Sequence, residues 1–178
     1  MENKIMSKEE IFERMKTSLT QGQRFCEVVQ AYLKGEFINE QVAAEAFDEI
    51  FTENKESEAK NASSYLAQII RHIFKIKYGK YSETFDKLKE EIDNLRDEII
   101  ILTKWDAKRP DRKVVELIEE DLYLVWNRAK SKFQKDVNKN PKDYMSIKKL
   151  PKECPWSLKE LIEDDCDSLI TSLKYSDD

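Results

Sequence analysis

The run Phe85–Leu102, FDKLKEEIDNLRDEIIIL, limits what this chain can become more than any other stretch. Its apolar residues Phe85, Leu88, Ile92, Leu95, Ile99 and Leu102 follow one another at intervals of 3, 4, 3, 4 and 3. That alternation puts them on one edge of an α-helix, as the a and d positions of a seam. Charged and amide residues, among them Lys87, Glu91, Arg96 and Glu98, fill the other faces. A lone amphipathic helix cannot take its seam out of water, so partner helices must cover it.

The rest of the chain can supply those partners. Its 178 residues include only 3 Gly and 4 Pro, while charged residues make up 38% and apolar residues 40%. Few turn formers mean few turns and long helices, and a sheet protein would need many more Asn-Gly or Asp-Gly turns. The composition predicts an all-α bundle of about five to seven helices, with one or two long central helices and a short C-terminal capping helix. Its length suits a single domain over residues 1–178.

Local signals place the helices. Ser7 and Glu10 form a capping-box pattern ahead of the stripe Ile11, Phe12, Met15 and Leu19, an N-terminal helical addition over residues 1–22. Phe25, Val28, Val29, Tyr32 and Leu33 form a second stripe, which Gly35 can end in the left-handed conformation. Asn39 can cap a helix reaching Lys77; its polar middle, Thr52–Asn61, holds no Gly or Pro, so one long helix and two helices broken near Glu53–Glu58 are both allowed. Ser82 is placed to cap the seam helix, and Pro110 or Asp111 to start another running to about Lys135. Asp136–Lys152 reads as a loop, Ser157 and Glu160 as a second capping box, and residues 166–178 as a tail with Leu169, Ile170 and Leu173 to dock.

Two blocks carry a family resemblance. The first is Ser64–Tyr78, SYLAQIIRHIFKIKY, with His72, Ile73, Phe74 and Lys75 ahead of an aromatic. The second is Leu150–Asp165, LPKECPWSLKELIEDD, whose Pro151, Glu153, Cys154, Pro155, Trp156, Ser157 and Leu158 form a closing signature. Together they resemble a bacterial family, the domain of unknown function twenty-nine, over about residues 25–165. Ile76 stands where the family pattern has Trp. The resemblance implies an all-helical bundle and brings no catalytic residue or cofactor with it.

Few residues offer chemistry. His72 is the only histidine; at the edge of an apolar stripe it reads as a boundary histidine or a proton shuttle. Cys154 precedes a helix start, where the dipole can activate a thiol, or else it fills a gap beneath Trp156. Three cysteines with no CxxC spacing disfavour a zinc site and suit reduced thiols in a cytoplasm. The acids of the seam helix lack the Glu-x-x-His partners that a metal-binding bundle uses. No cofactor is expected. The first ten residues lack the apolar core of a secretory signal, and no apolar run approaches the ~20 residues of a membrane span.

Charge is unevenly spread about a formal net of −5. Nine basic residues lie between Arg128 and Lys152, interleaved with Phe133 and Tyr144 and followed by Trp156, and eight acids lie beyond them. Two functions fit. One is a non-enzymatic module that binds another protein, as a regulatory or inhibitory subunit, or a second copy of itself. The other is a nucleic-acid accessory using Arg128, Lys132, Lys148, Lys149, Lys152 and Trp156, unless the acidic tail folds back on the basic stretch.

Overall fold

Helices account for the computed structural model, which describes residues 21–36, 40–105, 110–145 and 150–173. In order they are α1 (Gln21–Leu33), α2 (Glu40–Tyr78), α3 (Phe85–Thr103), α4 (Arg112–Glu120), α5 (Leu122–Lys139), α6 (Leu158–Glu163) and α7 (Cys166–Ser172). Single 3-10 turns at Ser82–Thr84 and Pro141–Asp143 complete the set. Among the described residues the only β pairing is the isolated bridge between Gly79 and Tyr144. No described helix is long and apolar enough to cross a membrane. The first capping box, the stripe Ile11–Leu19, Asn39, Lys148 and Lys149 lie outside the described residues.

The chain divides into two compact units, Met1–Ser57 and Glu58–Asp178. The division falls inside α2. In the first unit, α1 ends as its glycine predicts. Gly35 takes a φ of +66°, and the Gly35 and Glu36 amides donate to the Tyr32 and Ala31 carbonyls at 3.0 Å each. This closes the last turn in a Schellman motif.

The second unit is built on the C-terminal part of α2. Leu66, Ala67, Ile69, Ile70, Ile73 and Phe74 are fully buried. A helix apolar on so many sides must be wrapped by others. The polar middle stays helical, so α2 is one element of 39 residues. Phe74 holds the rings of Trp126 and Phe133 at centroid distances of 5.2 Å each, and Trp156 stacks edge-on against Trp126 at 5.8 Å.

The seam helix α3 forms as its spacing predicts, but its deepest line is rotated. Ile92, Arg96, Ile99 and Thr103 are the buried residues, while Phe85, Leu88, Leu95 and Leu102 are half-buried at the flanks. Arg96 faces inward because α6 ends against it. Its Nε donates to the Leu161 carbonyl at 3.0 Å and its Nη2 to the Asp164 carbonyl at 2.5 Å. These are carbonyls that a helix C-terminus leaves without partners.

Three boundaries differ from the sequence reading. Ser82 opens the 3-10 turn, and Thr84 is the N-cap of α3, its hydroxyl donating back to the Tyr81 carbonyl rather than capping the helix. The helix starting after Asp111 breaks at Asp121 into α4 and α5, each burying its own face, Val114 and Ile118 on one and Val125, Trp126, Ala129 and Phe133 on the other. The second of these then runs four residues past Lys135, so Asp136 is helical rather than in a loop. Asp111 caps α4 by accepting from the Val114 amide, and Ser157 and Glu160 form the complete capping box ahead of α6.

Candidate functional site

Between its buried residues the C-terminal part of α2 carries three half-buried polar side chains, Arg71, His72 and Lys75, with Arg71 and Lys75 one helical turn apart. Arg71 grips Asp136 of α5 with two parallel bonds, Nε to Oδ2 and Nη2 to Oδ1, at 2.6 Å each. Lys75 Nζ lies 3.6 Å from the same Oδ2. Burial alone would raise the Asp136 pKa, but the Arg71 bond and the Lys75 charge outweigh it and hold the carboxyl below its ordinary range. The same bond raises Arg71 further. Planar two-point pairing of this kind fixes geometry as well as charge.

His72 faces the other way. Its Nε2 lies 3.4 Å from Glu91 Oε2 on α3, and its side chain is 13% exposed. Burial pushes its pKa below the usual imidazole value; Glu91 opposes this, and the Lys75 and Arg71 charges reinforce it. Burial thus favours the neutral ring. Its Nδ1 is buried with no hydrogen-bond partner.

A groove of about 370 Å³ opens beside this pair. His72, Lys75 and Gly79 of α2 form one wall, and Phe85, Lys87, Leu88 and Glu91 of α3 form the other. Tyr81, Thr84, Asp143 and Tyr144 close its end. With His72 opposite Glu91 and Gly79 against Phe85, the two walls run antiparallel. Backbone bonds pin the closing segment: the Met145 amide donates to the Tyr78 carbonyl at 2.8 Å and the Lys80 amide to the Asp143 carbonyl at 3.0 Å. Gly79 has no room for a side chain, since a Cβ there would overlap the Lys75 carbonyl oxygen and lie 3.2 Å from the Phe85 ring. Burial, and then the charges of Asp136 and Asp143, raise the Tyr144 hydroxyl above its usual pKa.

Of the candidate site residues Arg128, Lys132, Lys152, Trp156, His72 and Cys154, the groove takes in His72. Arg128 and Lys152 are exposed and Lys132 is half-buried. Trp156 is 3% exposed, with its Nε1 donating to Ser172 Oγ at 2.7 Å. Phe133 is fully buried, and Tyr144 packs edge-on against it at 5.4 Å. Phe133 and Trp156 thus turn into the core, and neither ring offers a face on which a base could stack. Lys130 is held over the Trp126 ring at 5.5 Å and donates to the Pro151 and Lys152 carbonyls. Two acids of the C-terminal stretch bond elsewhere: Asp167 accepts from Lys89 of α3 at 2.9 Å, and Glu163 from Trp105 Nε1 at 2.8 Å.

Cys154 is not activated by the helix that follows it. Burial pushes its thiol up to about 11, and its Sγ lies 3.3 Å from the Trp156 carbonyl as a weak donor. Among the described residues, no cluster of three or more His, Cys, Asp or Glu could hold a metal. Sequence reasoning missed Arg71, Asp136 and Glu91. The usable signal was Asp136 itself, one of two acids in a stretch with nine bases, and Arg71, a charge set within an apolar run.

The profile of a family described as Domain of unknown function DUF29 matches residues 40–167. The match begins with α2 and ends at the start of α7, leaving out the α1 segment that the resemblance had included. No curated protein and no solved structure matches the chain significantly. The long buried helix, the seam and the capped Cys-Pro-Trp-Ser closure all fall within the matched residues, and the chain belongs to the DUF29 family.

Proposed function

We propose that this protein is a helical module that works by binding another protein, as a regulatory or inhibitory subunit in a bacterial cytoplasm. The observation that carries this reading is an inversion in the Met1–Ser57 unit. Its described buried apolar residues are Val28, Ala31, Ala43, Ala46 and Ile50, three of them alanines. Three of its described larger side chains are exposed, Leu33 at 77%, Phe51 at 53% and Tyr32 at 51%. Apolar area of that kind is the usual anchor of a helix-in-groove interface.

The test is size-exclusion chromatography with light scattering on the wild-type chain, alone and after recovery from its own host cells. It is compared with Leu33→Glu and Phe51→Glu. Both are helix-compatible changes at exposed positions, so circular dichroism should not move. The reading expects a stoichiometric complex, with a partner or a second copy, that either substitution dissolves. A wild-type chain that is strictly monomeric and recovers no stoichiometric partner refutes it.

A further inference from the structure

The charged groups of the α2–α3 groove do not neutralise one another. Lys87 and Glu91 stand one helical turn apart on α3, a spacing at which such residues can pair. Yet Lys87 makes no ion pair or side-chain hydrogen bond among the described residues, and neither does the Asp143 carboxylate. Among the described residues Glu91 has His72 as its one ion-pair neighbour, a ring whose burial favours the uncharged form. Lys75 is the second claimant on Asp136, whose two oxygens are both taken by Arg71 at 2.6 Å. The groove therefore presents two ammonium groups, of which Lys75 shares Asp136 with Arg71 and Lys87 has no ion pair among the described residues, and two carboxylates that no lysine or arginine pairs with there, beside the rings of Tyr81, Phe85 and Tyr144.

That inventory selects a ligand class. A simple anion attracted to Lys75 and Lys87 would also face Glu91 and Asp143, and a simple cation would face the reverse conflict. A molecule carrying both charges meets neither. The volume, about 370 Å³, lies at the small end of the roughly 300–1,000 Å³ spanned by ligand pockets. Leu88 and the Phe85 ring add an apolar wall for an uncharged body.

We propose that the groove between α2 and α3 binds a small zwitterion with an apolar body, of the size of an amino acid or a dipeptide. Its ammonium sits against Glu91, its carboxylate between Lys75 and Lys87, and its side chain against Phe85 and Tyr144. Gly79 keeps the aromatic end open, because any side chain there would be driven into the Lys75 carbonyl and the Phe85 ring. This site is separate from the exposed apolar residues of the Met1–Ser57 unit and does not depend on their having a partner.

Isothermal titration of the full-length chain with L-phenylalanine and with glycyl-L-phenylalanine tests the assignment, beside N-acetyl-L-phenylalanine and L-phenylalanine amide. Saturable one-to-one binding of either unblocked compound is expected. Blocking one end should weaken it by about tenfold or more, the scale of one lost charge-assisted hydrogen bond. Glu91→Gln and Lys87→Gln, on helix faces that tolerate either residue, should each weaken it by a similar factor. Binding of the amino acid alone points to free metabolites as the source, and of the dipeptide alone to peptide ends. No binding of either unblocked compound at millimolar concentration overturns the proposal. So does equal binding of a blocked compound, or unchanged binding by both variants.

Discussion

Replacing Arg96 by Met, which keeps the stem and removes the guanidinium, tests whether a buried cation holds the closing helix in place. Arg96 is 8% exposed and donates to the Leu161 and Asp164 carbonyls. Its one carboxylate neighbour, Asp93 at 3.5 Å, lies in solvent and contributes little. Each bond from a charged donor is worth about 1.5–3 kcal/mol net. Asp164 is exposed, so water can replace the lost donor there, whereas Leu161 is fully buried and its carbonyl keeps the full penalty. Removing the desolvated charge returns part of the loss. The net is about 3 kcal/mol, equivalent to roughly 6–12 °C in Tm for a chain of this length. Urea unfolding followed by tryptophan fluorescence reads it directly, because Trp105, Trp126 and Trp156 all belong to the Glu58–Asp178 unit. Amide exchange in Leu158–Glu163 should accelerate as well. Arg96→Lys, with a single point charge on a shorter reach, should recover only part of the stability. A loss below about 1 kcal/mol, with unchanged exchange in α6, would show that apolar packing alone seats the closing helix.

Asp136→Asn should flatten the acid limb of the stability curve. The folded-state pKa is depressed, so the unfolded chain takes up the proton first; the stabilisation is complete above about pH 4 and lost as pH falls through the folded value. Urea midpoints between neutral and acid pH check this, and an unchanged slope would contradict the pairing with Arg71. Cys154, with its thiol at about 11, should label with a maleimide at pH 8 on the order of a hundredfold more slowly than an ordinary thiol, while the exposed Cys26 labels readily. Mass spectrometry of a time course separates the two sites, and equal rates would disprove the burial argument. Gly79→Ala should cost about 1–3 kcal/mol through overlap with the Lys75 carbonyl. A neutral result in the same fluorescence assay would mean that the end of α2 can yield.

Much of the fold was legible because hydrophobic spacing and caps are local signals. The seam of α3, the turn at Gly35, the cap at Asp111 and the box at Ser157 and Glu160 all depend on residues within one or two helical turns. What was hidden depends on neighbours distant in sequence. Arg96 sits four residues after Ile92 and three before Ile99, on the buried line, but its charge marks it as solvent-facing until α6 is placed against it. Asp136 looked like the start of a loop beside Asn138 and Pro141, because its helical role comes from Arg71, 65 residues away. The spacing of Trp126, Ala129 and Phe133 marks a stripe, but which rings meet there, Phe133 on Phe74 and Trp156 on Trp126, is set by the tertiary fold. The groove was invisible for the same reason: His72 is local to α2, but Glu91 and Asp143 reach it only through the tertiary fold.

The polar groups that escaped the sequence reading also decide which helices become neighbours. Apolar stripes attract without direction, and two amphipathic helices can slide past each other by a turn, about 5.4 Å, and still bury similar area. A hydrogen bond does not survive such a shift. In the Glu58–Asp178 unit the separate helices are tied by bonds of this kind: Arg71 joins α2 to α5, Lys77 Nζ joins α2 to the Ile170 carbonyl of α7 at 3.0 Å, Arg96 joins α3 to α6, and Lys89 joins α3 to α7. Each link is satisfied at a single register, and a slip at Arg71, Lys77 or Arg96, which are buried or part-buried, would strand a charge whose partner is a carbonyl or carboxylate on another helix. The hydrophobic seam thus supplies most of the driving force for assembly, and these four cations choose one arrangement among those the seam would accept. That arrangement sets His72 opposite Glu91, with Gly79 bare beneath Phe85, so the register they impose is also what opens the groove.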